Sequence, residues 1–117
     1  MDSSSLTVSD SSGVTVITLH TRDLVEHTVF ELRPQVLKLL PSGPARWVLN
    51  LPETEFIASA GIGLIVQIAH KLSSNGGKLA LCILKTELVE LFRAPYFLQS
   101  VAIFSDVPTA VAALSPH

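Results

Sequence analysis

The sequence predicts an α/β fold: a mixed, mostly parallel five-stranded sheet with four helices, in the order β-β-α-β-α-β-α-β-α. Three observations carry that prediction. Two β-branched segments at the start are joined by turn-forming residues. After them, helix-period stretches and short apolar runs take turns along the chain. The apolar runs are nearly continuous, which marks strands buried on both faces of a sheet. Strand–helix–strand units of this kind close with right-handed crossovers into parallel pairs, and the initial hairpin adds an antiparallel edge. A length of 117 residues suits one domain of about 100–150 residues. The expected domain spans 1–117, with 1–5 a loose N-terminus and 115–117 a tail.

Each element has its own local reason. Leu6-Thr7-Val8 and Val14–Leu19 are rich in β-branched residues, and Asp10-Ser11-Ser12-Gly13 between them has turn chemistry, so they read as a hairpin. Val25, Val29, Leu32, Val36 and Leu39 then recur at steps of four and three, the stripe of an amphipathic helix. Pro34 falls inside that stripe. Proline removes one intrahelical donor and crowds the preceding turn, so the helix is expected either to start late, near Thr28, or to bend at Pro34. Pro41-Ser42-Gly43-Pro44 ends it.

Trp47–Leu51 is the next strand, followed by a loop, Pro52–Ile57. Ile62, Ile65, Ala69 and Leu72 mark a second helix, closed by Ser73-Ser74-Asn75-Gly76-Gly77. Ser59 is read as its N-cap. Lys78–Leu84 is another apolar strand, and Thr86 is read as the cap of a third helix carrying Leu88, Leu91 and Phe92, stopped by Ala94-Pro95. Val101–Phe104 is the last strand. Asp106, with Pro108 in the first turn, starts a final helix with Val107, Val111 and Leu114 on one side.

Composition narrows the function. With 48% hydrophobic and 15% charged residues, the chain is not expected to be disordered. Its longest apolar runs, such as Leu79–Leu84, fall well short of the ~20 residues of a membrane span. Met1-Asp2-Ser3-Ser4-Ser5 does not resemble a signal peptide. Eight Lys/Arg against ten Asp/Glu, scattered along the chain, leave no basic stripe for nucleic acid. The lone Cys82 has no disulfide partner, which suits a reducing cytoplasm. A soluble cytoplasmic domain is expected.

The residues that carry chemistry do not assemble into a familiar constellation. The histidines at 20, 27, 70 and 117 have no metal-ligand spacing, and no cofactor is expected. Ala58-Ser59-Ala60-Gly61 is not a Gly-x-Ser-x-Gly elbow, so Ser59 reads as a cap rather than a nucleophile. Gly61-Ile62-Gly63 opens a helix, but Val66 stands where a dinucleotide fingerprint needs its third glycine, and no Gly-Lys-Ser/Thr follows. Both glycines are expected to serve close packing instead. One feature suggests a surface: the helix begins Gly61–Val66, apolar nearly all round. A sheet covers only one side, so some of Ile62, Leu64 and Val66 are expected to face solvent as a protein-docking patch.

Val48–Leu51 through Phe56-Ile57-Ala58-Ser59-Ala60-Gly61-Ile62-Gly63-Leu64, with Asn75-Gly76-Gly77-Lys78-Leu79 further on, resembles the signature of STAS domains. These are the anti-sigma factor antagonists and their relatives in sulfate transporters. The resemblance covers nearly the whole chain and implies a STAS-like fold in the order given above. The family pattern at the helix start is Phe/Ile-Asp-Ser-Ser-Gly-Leu-Gly. In the antagonists its second serine is phosphorylated by a partner kinase that is also the anti-sigma factor. That position here is Ala60, the acidic position is Ala58, and only Ser59 keeps a hydroxyl. A further family aspartate before the first helix falls on Val25, flanked by Asp23 and Glu26.

The resemblance therefore implies a non-enzymatic regulatory module without the usual phosphorylation switch, with Ser59 as the alternative acceptor. Its expected partner surface is Ala58, Ser59, Ala60, Gly61, Ile62, Leu64 and Val66, and its expected partner an anti-sigma factor that is also a serine kinase. The alternative is an accessory subunit of a membrane transport system, binding a transporter ATPase. Ligand sensing in a small pocket rests on fold analogy alone.

Overall fold

The computed structural model describes residues 5–93 and 101–115. The chain begins with a hairpin of β1 (Ser5–Ser11) and β2 (Val14–His20), paired antiparallel with Leu6 opposite Leu19 and Ser11 opposite Val14. The two residues between the strands, Ser12 and Gly13, both have positive φ, 51° and 81°. That is the backbone of a type I′ turn, whose twist matches the flanking strands. The turn is thus tighter than the expected tetrad, and Asp10 and Ser11 belong to β1.

A two-residue strand, β3 (Asp23–Leu24), leads into α1 (Glu26–Leu37). The helix starts at Glu26, ahead of the expected Thr28, and runs through Pro34, which sits inside it. The carbonyl that loses its donor belongs to Phe30, and Phe30 and Pro34 are both exposed, so water can take the place of the missing N–H. The buried side of α1 is Thr28, Val29, Leu32 and Val36. Leu39, at the end of the expected stripe, lies beyond the helix and is exposed.

The central strand β4 (Arg46–Leu51) follows, then β5 (Phe56–Ile57) and the long helix α2 (Ser59–Ser74). α2 closes with the Gly77 N–H donating to the Leu72 carbonyl at 2.7 Å and the Gly76 N–H to Ser73 at 3.0 Å, a Schellman arrangement. Strand β6 (Lys78–Ile83) leads to the short α3 (Thr86–Val89), which tightens into a 3-10 turn at Glu90–Phe92. The N-cap of α3 is Lys85, not Thr86. The expected stop at Ala94-Pro95 lies outside the described residues. Strand β7 (Val101–Phe104) and helix α4 (Val107–Leu114) complete the chain. Asp106 caps α4, its carboxylate accepting the Thr109 N–H at 2.8 Å.

The main sheet has the order β1-β2-β4-β6-β7, with every pair after the hairpin parallel. Side chains alternate across it as strand geometry requires. Trp47, Leu49, Leu51, Leu79, Leu81 and Ile83 join the core beneath α1, α2 and α3. Val48, Ala80 and Cys82 point the other way, against Ala110 and Val111 of α4. Leu49 and Leu81 are fully buried, as expected. Burial pushes the Cys82 thiol up to about 11, with Asp106 adding to the shift, so it is a protonated packing residue at neutral pH.

The small sheet of β3 and β5 has no counterpart in the sequence reading. It pairs Asp23 with Phe56 and Leu24 with Ile57 and turns the end of the expected loop into a support for the start of α2.

Candidate functional site

The start of α2 is held from below by backbone. The carbonyl of Arg22 accepts the N–H of Glu55 at 2.7 Å and of Phe56 at 3.2 Å, and the Leu24 carbonyl accepts the Ala58 N–H at 3.0 Å. Two threonines lock the same corner: the buried Thr54 hydroxyl donates to the Thr21 carbonyl at 2.9 Å, and the Thr21 hydroxyl to the Asp23 carbonyl at 3.1 Å. Gly61 presses onto this support. A Cβ there would lie 2.7 Å from the Leu24 carbonyl oxygen and 2.9 Å from side-chain carbons of Ile57 and Leu24. Close approach at Gly61 thus seats the helix. Gly63 has open space around its missing side chain, so only the first of the two glycines serves packing.

The N-cap of α2 is Ala58, in extended backbone, with no side-chain cap. Ser59 is one residue too late to cap: it is the first helical residue, and it is exposed. The first-turn N–H groups are left without a side-chain acceptor at the electropositive end of a 16-residue helix.

The expected docking residues divide. Leu64 is core, with no exposure. The buried side of α2 is Gly61, Leu64, Ile65, Ile68 and Leu72, rotated toward Leu64 and Ile68 from the predicted stripe. Ile62 and Ala60 are half-buried against the core and Ala58 is half-buried. Val66 is 40% exposed and shares the outer side of the helix with Ser59, Gly63 and His70. Among the apolar side chains outside that prediction that are more exposed still are Phe56 on β5 at 54%, and Phe30 on α1 at 81%. Their signal was in the sequence. Phe30 falls off the Val29–Leu32–Val36 stripe, and Phe56 neighbours the inward-facing Ile57.

Charge closes one flank. Lys85, after β6, reaches back to Glu55, Nζ to Oε1 at 2.9 Å. The hydrogen bond and charge of Lys85 hold the Glu55 carboxyl below its usual range, and the same bond raises the Lys85 ammonium. Both side chains are well exposed, so the pair orients the loop more than it stabilises the fold. Among the described residues no group of three or more His, Cys, Asp or Glu is placed to hold a metal ion, and no helix is long and apolar enough to cross a membrane.

A mixed sheet covered on both faces, with a helix that starts without a side-chain cap on a small backbone-bonded sheet, defines a class of α/β domain. The chain belongs to the STAS domain family, whose model matches residues 5–110. BtrV of Bordetella bronchiseptica, named as an anti-sigma factor antagonist, is 30% identical over 83 residues, 71% of this chain and 72% of BtrV. The anti-sigma-factor antagonist (STAS) domain protein of Planctomyces limnophilus superposes with a TM-score of 0.84 at 23% identity, covering 95% of this chain and 98% of that one. The murine anion transporter Slc26a9 contains the same fold, with a TM-score of 0.71 at 17% identity over 91% of this chain and 18% of the transporter.

Proposed function

We propose that this chain is a non-enzymatic regulator that docks a protein partner through β5 and the start of α2, in the manner of an anti-sigma factor antagonist, without a phosphate acceptor at residue 60. The observation that carries the reading is the exposed apolar and small-residue surface of Phe56, Ser59, Gly63 and Val66, mounted on a rigid backbone support. The name of the relative BtrV supports an anti-sigma factor as the partner class; that this factor is also a serine kinase is what the family resemblance implies. A phosphoserine would add about -1.5 to -2 charges to a surface that otherwise docks by apolar contact. Ala60 has no hydroxyl to carry it.

The same lack of an acceptor suits a second reading, a constitutive accessory subunit binding a transporter ATPase in the cytoplasm. Incubation with the host's anti-sigma serine kinase and ATP, followed by peptide mass mapping, tests the first. A stable complex with no phosphate on the chain is expected. Stoichiometric phosphate on the exposed Ser59 would show a switch displaced by one residue and overturn its loss. Absence of any complex would turn the choice to the transporter ATPase.

A further inference from the structure

The outer edge of β1 carries no further strand among the described residues. In the hairpin, Ser11 and Val14 flank a two-residue turn, so they form a hydrogen-bonded pair and the pairs alternate from there. Ser5, Thr7, Ser9 and Ser11 therefore spend their backbone groups on β2. Leu6, Val8 and Asp10 aim theirs outward, and among the described residues no strand lies beyond β1. Exposed edges of this length are usually blunted by lysine, proline or a bulge. β1, Ser-Leu-Thr-Val-Ser-Asp-Ser, has none of them: its register with β2 runs unbroken over seven residues, and Asp10 is its single charge.

We propose that this edge joins a second copy of the chain, antiparallel, about a two-fold axis at Val8. In that register Val8 faces Val8 of the other copy, and Leu6 faces its Asp10. Each of these pairs exchanges two N–H···O bonds, and every outward backbone group of Leu6, Val8 and Asp10 is satisfied. Thr7, whose hydroxyl already bonds His20 Nε2 at 3.1 Å, faces Ser9 of the other copy. No like charges stand opposite each other, because the Asp10 carboxylates are offset by the register. Val8 is 46% exposed and lies on the sheet face that carries α1 and α2, since its neighbour Ile17 is part of that core. Pairing covers it with its own counterpart and joins the two sheets into one. The proposal is independent of the α2 surface.

Sedimentation equilibrium on the whole chain, over a wide concentration range, is expected to show a reversible monomer–dimer equilibrium. Val8→Lys places two ammonium groups on the axis and is expected to abolish the dimer while keeping the melting temperature of the dilute, monomeric wild type; mixing it with Val8→Glu is expected to restore a heterodimer. Position is tested by cysteine. Antiparallel hydrogen-bonded pairs have Cα atoms about 5.5 Å apart, within the roughly 4.4–6.8 Å of a disulfide. Under mild oxidation Val8→Cys is expected to cross-link to itself. Thr7→Cys is expected to cross-link only when mixed with Ser9→Cys. The buried Cys82 is silent in both. A monomer at all concentrations, or a dimer that survives Val8→Lys and resists the Val8→Cys cross-link, overturns the proposal.

Discussion

Gly61 and Gly63 stand two residues apart on α2 and answer substitution in opposite ways. Gly61→Ala drives a methyl group into the Leu24 carbonyl, a backbone oxygen that already holds the Ala58 N–H. Neither can yield without loosening the β3–β5 support, so a cost of about 1–3 kcal/mol is expected, the range for overpacking. Gly63→Ala meets open space and gains helix propensity, about 0.5–1 kcal/mol. Chemical denaturation of both variants checks this; equal effects would show that α2 is not seated on Leu24. At Asp106, the Thr109 N–H holds the carboxyl below its usual range. Its folded value is depressed, so the cap stabilises α4 above the ordinary aspartate value of about 3.9 and is lost as pH falls through the folded value. Asp106→Ala should therefore lower the melting temperature at pH 7, and its gap from the unsubstituted protein should close in acid. A gap that persists in acid would assign the loss to something other than the cap.

At the scale of elements, α2 explains what the sequence could and could not reveal. Its existence and C-terminal closure followed from periodicity and Asn75-Gly76-Gly77. Its rotation did not, because Gly61–Val66 is apolar nearly all round and the pattern cannot tell which side meets the sheet. Of the three candidates for the exposed side, Ile62, Leu64 and Val66, Leu64 is core and Val66 faces outward. The two are separable by charge. Leu64→Asp buries an unpaired carboxylate and is expected to unfold the domain, whereas Val66→Asp should leave the melting temperature nearly unchanged and weaken partner binding. Unfolding by both would remove the patch. The N-cap lies one position before the serine the sequence suggests, since a serine at the first helical residue looks the same in sequence as one at the N-cap. The strands β3 and β5 were invisible for a simpler reason. Two residues hold no period, and their pairing spans a whole helix and strand.

For the whole molecule, the legible part was the part that buries apolar surface. Trp47–Leu51 and Leu79–Ile83 read as central strands because both their faces are covered, and the helix-linked neighbours β2–β4, β4–β6 and β6–β7 pair in parallel as that reading requires. Leu49→Ala, which empties fully buried volume between sheet and helices, should cost about 2–5 kcal/mol; a cost near zero in denaturant titration would contradict that core. The surface was less legible, because docking leaves no period and depends on which apolar residues the packing leaves over.

The account's central claim is that β5 and the start of α2 form a docking surface that tolerates no negative charge. Calorimetric titration of the host's anti-sigma kinase into wild type, Ala60→Asp and Ser59→Asp measures it directly. Each carboxylate lies at a helix N-terminus, which favours an anion by about 0.3–1 kcal/mol, so both variants should stay folded. The exposed Ser59 position serves as the arm least able to disturb the core. Binding to wild type, with at least a ten-fold loss in both variants at unchanged melting temperature, is the expected result. Undiminished binding in the folded variants would contradict the claim and move the partner surface elsewhere on the molecule.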